Sequence, residues 1–118
     1  MTQQTVSSRF PYLPVQIHVG GIITYEGDAL LDTGFTGDVI LPTGYLPDDA
    51  TLIDDNYLTL ADGSSIRVPR YTAILTLGRL LPIRIEVSIL GGEPIIGVQV
   101  IRHFSVILDH GRRVIVEP

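Results

Sequence analysis

The residues best able to carry chemistry are Asp32, Thr33 and Gly34, which directly follow the apolar pair Leu30 and Leu31. This order places a carboxyl group at the end of a buried strand, beside a hydroxyl group and a glycine with wide backbone freedom. Burying an unpaired charge is costly, so the carboxylate needs N–H or O–H donors nearby. The competing interpretation is a plain strand-to-turn transition, in which all three residue types are ordinary. Asp32 is therefore the candidate for proton transfer, and its surroundings decide between the two interpretations.

The composition limits the classes of function. The chain has 118 residues and a mass of 12.9 kDa, which predicts a single domain. It contains no cysteine, which excludes a thiol nucleophile, a disulfide framework and cysteine-ligated zinc. Arginine supplies all 8 positive charges, so Schiff-base chemistry on lysine is excluded as well. The formal net charge of -5 opposes binding to phosphate backbones and anionic lipid, and we expect neither a nucleic-acid nor a membrane partner.

The residue types indicate a mostly β protein. Ile and Val together number 26 against 4 Ala, and β-branched side chains favour a pleated surface over a helix. The spacing of Val98, Ile101 and Phe104 predicts one short helix, a single helical turn is expected near Asp48, and residues 26–28 are expected to form a bulge. Strands are predicted at residues 15–19, 22–25, 29–31, 39–41, 57–60, 66–68, 71–77, 83–89, 105–108 and 112–116.

The amino-terminal residues are polar and lack the apolar core of a secretory signal. We expect residues 1–12 to be a flexible segment and residues 13–118 to form the single domain. The apolar stretches are interrupted by charge or glycine before they reach the roughly 18 residues that a membrane span needs. These patterns together predict a cytoplasmic protein.

The order of these elements resembles the retropepsin-like aspartic proteases, and in particular their small prokaryotic members. Asp32 to Gly34 match the family's catalytic loop, and Ile95 to Gly97 match its hydrophobic-hydrophobic-Gly element, which crosses behind that loop. Leu60 to Ile66 fall where the family has its flap hairpin. The resemblance spans about residues 14–116. One position departs from it, because the family usually has Ala or Ser where this chain has Phe35.

The resemblance implies an all-β fold, a closed barrel or sandwich with one short carboxy-terminal helix and a flap hairpin. It implies an aspartic endopeptidase, a hydrolase that needs no metal or organic cofactor. Asp32 would be catalytic, Thr33 would form a hydrogen bond across a dimer, and Gly34 would let the backbone approach the substrate. The hairpin tip would close over a bound peptide. The implied substrate-binding residues are Phe35, Ala61, Asp62, Gly63 and Ser64.

A single Asp-Thr-Gly per chain implies two chains per active site. Hydrolysis by this route needs two carboxyl groups on one water, one ionised to take its proton and one protonated to donate to the scissile carbonyl oxygen. Two like charges so close cannot both ionise, so the two groups share a proton. We therefore expect a C2 homodimer in which Asp32 faces its copy. Residues 114–116 are either an intersubunit strand or an ordinary strand paired within their own chain.

Two other functional classes stay open. One is the same fold kept as a catalytically silent dimerisation or peptide-binding module, and the other is a monomeric β-barrel unrelated to proteases. Weaker motifs favour structural interpretations. The acidic pairs Asp48-Asp49 and Asp54-Asp55 lack the spacing of a calcium loop, and the three histidines lack a metal-ligand pattern. Gly34 to Gly37 fit an RNA-clamping Gly-x-x-Gly, but they follow a buried strand in an acidic chain.

Overall fold

The computed structural model describes residues 3–47, 50 and 52–118, and for residues 52–56 it describes the backbone alone. Strands dominate the described residues, which confirms the predicted all-β class. A 3-10 turn lies at Thr43–Tyr45. The elements are β1 (Thr5–Ser7), β2 (Tyr12–Val19), β3 (Ile22–Leu31), β4 (Val39–Leu41), β5 (Leu52–Thr59), β6 (Ser65–Thr76), β7 (Ile83–Ile89), β8 (Ile95–Ile96), α1 (Val98–Ile101), β9 (Ser105–Asp109) and β10 (Arg113–Glu117).

Six strands close into a barrel in the order β2-β3-β8-β4-β7-β6, and β6 pairs back onto β2. Every second residue of β2 faces the barrel interior, and the side chains of Val15, Ile17 and Val19 are all buried there. The continuous apolar strand β4 is buried along its whole length. Closure leaves no free edge within the ring, and β5 pairs with β6 outside it.

Strand β8 separates the two strands that flank Asp32. It lies parallel to the end of β3, with Ile96 opposite Leu31, and antiparallel to β4, with Ile96 opposite Val39. Residues 32–38, which we call the Asp-Thr-Gly loop, therefore connect two strands that are held apart by β8. Residues 95–99, which we call the crossing segment, include β8 and the start of α1. The barrel topology thus brings together two segments that are about sixty residues apart in the chain.

Strands β5 and β6 form a long hairpin, as the sequence predicted. Their pairing extends to Thr59 opposite Ser65, so residues 60–64 form the tip. Strand β5 begins at Leu52, five residues before the strand predicted at residues 57–60. Strand β6 is continuous where two strands were predicted on either side of Pro69. Pro69 is tolerated because the pairing of β6 with β7 begins only at Arg70, so its missing N–H does not interrupt that ladder.

A second sheet joins the two ends of the chain. Strand β10 lies between β1 and β9 and is antiparallel to both, which confirms that residues 114–116 are paired within their own chain. Strand β1 falls within the segment that was expected to be flexible. Its inward residues Thr5 and Ser7 are polar but buried, and the Thr5 hydroxyl donates to the carbonyl oxygen of Leu77 at 3.1 Å. Strand β1 was not predicted, because its buried positions do not carry the apolar residues by which strands were recognised. The domain boundary at residue 13 stays a prediction.

Three smaller expectations have different outcomes. The bulge expected at residues 26–28 is not found there; the irregularity of β3 lies instead at Thr24, the extra residue between Ile23 and Tyr25, which pair with His18 and Ile17. Helix α1 ends at Ile101, earlier than the spacing of apolar residues predicted. The helical turn expected near Asp48 lies outside the described residues. In the part of the chain that the structure describes, no helix is both long and apolar enough to cross a membrane.

Candidate functional site

Asp32 begins the Asp-Thr-Gly loop directly after β3, and its side chain is half-buried. Its backbone N–H donates to the carbonyl oxygen of Ile96 at 2.9 Å. Its carboxylate oxygen Oδ1 accepts a hydrogen bond of 2.8 Å from the backbone N–H of Gly34. The donor that the sequence analysis required for this carboxylate is therefore supplied by the glycine of its own motif.

Main-chain hydrogen bonds fix the loop to the crossing segment. The N–H of Gly97 donates to the carbonyl oxygen of Asp38 at 2.8 Å. The N–H groups of Val98 and Gln99 donate to the carbonyl oxygens of Phe35 and Gly37 at 2.9 and 3.1 Å. The first N–H groups of a helix have no partner within the helix, so the loop supplies partners that α1 needs. With the bond from Asp32 to Ile96, four main-chain bonds hold the two segments as one unit.

A cavity of about 500 Å³ lies between the Asp-Thr-Gly loop and the end of β5. Its volume falls within the range of roughly 300–1,000 Å³ that is usual for ligand pockets. Residues 34–37 form one wall and residues 57–60 form the opposite wall. Ile40 and Leu90 complete the lining. Aliphatic and aromatic side chains share this lining with Thr36, Thr59 and the glycine main chain, so the recess beside the carboxylate-bearing loop is both apolar and polar.

The residues predicted from the sequence fall into two groups. Asp32, Thr33, Gly34 and Phe35 lie together in the loop, where Thr33 and Gly34 are exposed and Phe35 is half-buried and lines the cavity. Ala61, Asp62, Gly63 and Ser64 are exposed at the hairpin tip and do not line the cavity.

Three parts of the cavity lining carry no functional signal in the sequence: Ile40, Leu90 and residues 57–59. They come from separate strands, and each reads locally as an ordinary strand residue. Only the folded arrangement of the barrel and of the β5–β6 hairpin brings them to the loop. The main chain provides one link, because the N–H of Leu90 donates to the carbonyl oxygen of Leu41 at 3.1 Å.

The hairpin tip is closed by its own hydrogen bonds. The N–H of Leu60 donates to the carbonyl oxygen of Ser64 at 2.7 Å, and Gly63 adopts a φ of 86°, which favours glycine. The Asp62 carboxylate accepts hydrogen bonds from the Ser64 hydroxyl at 2.6 Å and from the Ser64 N–H at 2.9 Å. These bonds lower the pKa of Asp62, with the hydroxyl as the largest cause.

We expect Ser64→Ala to raise the pKa of Asp62 towards its ordinary value, because it removes the strongest stabilisation of the ionised form. A lowered pKa in the folded state stabilises the tip at pH values above the ordinary carboxyl pKa, and this stabilisation is lost as the pH falls through the folded pKa. Ser64→Ala should lose part of this pH-dependent stabilisation of the tip. A carboxyl-carbon NMR titration measures the effect, and Ser65→Ala is the matched control. An Asp62 pKa that is the same in both variants would contradict the assignment.

Among the described side chains, no group of three or more His, Asp or Glu residues comes together in a way that could hold a metal ion. The acidic pairs Asp48-Asp49 and Asp54-Asp55 lie outside the side chains that the structure describes.

The fold is similar to a solved structure of a retropepsin-like aspartic protease from Rickettsia conorii. The TM-score is 0.58 and the sequence identity is 14%, with 99% of this chain and 92% of that chain covered. This likeness confirms the predicted retropepsin-like fold, including its closed barrel and single short helix. No protein-family model matches the chain. A sequence comparison with curated proteins also finds no match.

Proposed function

We propose that this chain is an aspartic endopeptidase that acts as a C2 homodimer. Asp32 of each subunit would approach its copy across the axis, and the two carboxyl groups would activate one water between them. The proposed substrate is a peptide or protein in the cytoplasm, and the reaction uses no cofactor, nucleic acid or membrane.

The observation that carries this proposal is the position of Asp32. Its carboxylate belongs to a loop that four main-chain hydrogen bonds hold in place, and the loop borders a cavity of about 500 Å³. A reacting group that is fixed before the substrate binds loses little freedom in the transition state. The exposure of Thr33 and Gly34 leaves this part of the loop available to a second subunit. The likeness in fold to an aspartic protease supports the same proposal.

In the proposed reaction, the ionised Asp32 takes a proton from the water while the oxygen of the water bonds to the scissile carbonyl carbon. The protonated Asp32 of the other subunit gives its proton to the carbonyl oxygen, so a neutral tetrahedral diol forms. The first Asp32 then gives the proton it took from the water to the amide nitrogen, and the second Asp32 takes a proton back from a diol hydroxyl. The carbon–nitrogen bond breaks, a carboxyl and an amine product leave, and the two carboxyl groups again share one proton. Thr33 would hold the two loops together across the dimer, and Gly34 would let the substrate backbone come close.

The substrate would bind in an extended conformation between the Asp-Thr-Gly loop and the β5–β6 hairpin. The cavity accepts an apolar side chain, because Phe35, Ile40 and Leu90 line it. The tip residues Ala61, Asp62, Gly63 and Ser64 would close over the peptide and exclude water. Their exposed position in this structure leaves them free to move towards a bound peptide.

The direct test incubates the purified protein with a peptide library between pH 4 and 7, identifies products by mass spectrometry and follows assembly by sedimentation. We expect cleavage next to apolar residues, with an activity per chain that rises with concentration as the dimer forms. A dimer that binds peptides without cutting them would favour the catalytically silent module. A species of 12.9 kDa at all concentrations would favour the unrelated monomeric barrel.

A further inference from the structure

The ring of Phe35 occupies a slot between two glycines. A Cβ atom added to Gly37 would lie 2.5 Å from Cζ and 2.9 Å from Cε1 of Phe35. A Cβ atom added to Gly97 would lie 2.5 Å from Cδ2 of the same ring. Non-bonded carbon atoms pack at about 3.5–4.0 Å, so neither position has room for a methyl group while the ring is present. The ring therefore contacts both the Asp-Thr-Gly loop, through Gly37, and the crossing segment, through Gly97.

The two glycines are required for different reasons. At Gly37 the three nearest atoms all belong to the Phe35 ring, and φ does not lie in the left-handed region. The ring alone therefore excludes a side chain there. At Gly97 a Cβ atom would also overlap the carbonyl oxygen of Gly37 and would lie 2.8 Å from that of Phe35. Main-chain atoms exclude a side chain at Gly97 whatever residue stands at position 35.

Phe35 is also tied to both segments through its backbone. Its N–H lies 3.3 Å from the carbonyl oxygen of Asp32, to which it donates. Its carbonyl oxygen accepts the bond from Val98. A displacement of the ring would therefore be transmitted to Asp32 on one side and to the crossing segment on the other. The Ala or Ser that the resembled family usually has at this position could not fill the slot.

We propose that Phe35 is a positioning residue for Asp32, and that its ring sets the rigidity of the Asp-Thr-Gly loop by filling the slot between Gly37 and Gly97. The catalytic part of this inference rests on the proposed function, whereas the packing part does not. The main-chain bonds remain in Phe35→Ala, so the variant should fold with a looser loop. A misplacement of about 1 Å can cost a reaction roughly a hundredfold in rate, so a looser loop should lower kcat.

The first experiment is a thermal-unfolding cycle of wild type, Phe35→Ala, Gly37→Ala and the double variant. We expect Gly37→Ala to lower the Tm of wild type by about 5 °C or more, because its methyl group must displace the ring. In the Phe35→Ala background the same change should shift the Tm by less than about 2 °C. Gly97→Ala should remain harmful in both backgrounds. An equal loss from Gly37→Ala in both backgrounds would overturn the proposal.

The second experiment measures loop rigidity without any substrate. The N–H groups of Val98 and Gln99 donate to loop carbonyls, so their hydrogen exchange reports how firmly the loop is held. We expect exchange to be about tenfold faster in Phe35→Ala than in wild type, and Phe35→Leu, which keeps much of the apolar bulk, should restore slow exchange. Unchanged exchange in Phe35→Ala would contradict the positioning role.

The third experiment measures cleavage of peptides that differ in the size of the side chain entering the cavity. We expect Phe35→Ala to lower kcat about tenfold or more for all of them, with KM nearly unchanged, and Phe35→Leu to recover most of the loss. Changes confined to KM that follow side-chain size would make Phe35 only a cavity wall and overturn the proposal. A wild-type protein that cleaves no peptide would overturn the proposed function and, with it, the catalytic role of Phe35. The Tm cycle and the hydrogen exchange would still decide whether the Phe35 ring sets the rigidity of the loop.

Discussion

Asp32→Asn is expected to lower peptide cleavage by about a thousandfold or more, because the amide can neither accept the proton of the water nor supply one to the carbonyl oxygen. In a homodimer the single substitution removes both carboxyl groups at once. The bond from the Gly34 N–H can be kept by the amide oxygen, so the loop and the barrel should stay folded. Cleavage assays on the purified variant, with circular dichroism to verify folding, measure the effect.

A matched control is Asp28→Asn. Asp28 pairs with Arg9 at 2.7 Å, and the side chains are 33% and 66% exposed, so loss of the pair should cost at most about 1 kcal/mol and leave cleavage unchanged. Mixing wild-type and variant chains tests directly whether two chains share one active site. If each active site needs one Asp32 from each chain, an equal mixture of wild type and Asp32→Asn should show, once subunits exchange, about one quarter of the activity of wild type alone at the same total chain concentration. Activity that stays proportional to the wild-type fraction would contradict a shared site.

Gly97→Ala is expected to destabilise the fold by about 3 kcal/mol or more. The added methyl group would overlap the carbonyl oxygen of Gly37, and main-chain atoms cannot move away as a side-chain end can. The loop and the crossing segment would have to separate, which breaks the bonds that Gly97, Val98 and Gln99 donate. Thermal unfolding should show a fall in Tm of about 10 °C or more.

Gly92→Ala is the control for this change. Gly92 lies in the turn that leads into β8, has no heavy atom within 4 Å of an added Cβ, and does not have a positive φ. Its substitution should leave Tm within about 2 °C of wild type, or raise it, because alanine restricts the unfolded chain. Similar Tm values for the Gly92 and Gly97 variants would mean that the close approach at Gly97 is not structurally important.

The sequence predicted those parts of the fold in which side-chain type follows burial directly. The alternation of Val15, Ile17 and Val19 indicated a strand with one buried face, and that face lines the barrel. The strands predicted on either side of residues 61–65 placed the hairpin tip there, and Gly63 adopts a positive φ in it. Strand β1 was missed because Thr5 and Ser7 occupy buried positions that apolar residues usually fill. The buried Thr5 hydroxyl is acceptable only because Leu77 provides an acceptor from a distant part of the chain.

The candidate site was predicted only in part, for a related reason. Asp32 could be found because a carboxylate after a buried strand is chemically unusual. The cavity beside it could not, because Ile40, Leu90 and the end of β5 meet only in the folded barrel with its β5–β6 hairpin. The slot around Phe35 was equally hidden. The slot exists because Gly37 and Gly97 have no side chain where the Phe35 ring lies. The sequence alone does not distinguish a glycine required by a turn from a glycine required by a neighbouring ring.

The way in which the Asp-Thr-Gly loop is fastened bears on how this protein can diverge. Its four ties to residues 96–99 join amide and carbonyl groups, which every residue type except proline carries in full. Most substitutions along these segments therefore leave the four hydrogen bonds intact, and only the few positions with a restricted side-chain size or charge limit the change of sequence. The architecture can therefore be kept by very different sequences, which agrees with a fold shared over nearly the full length with a chain that is only 14% identical.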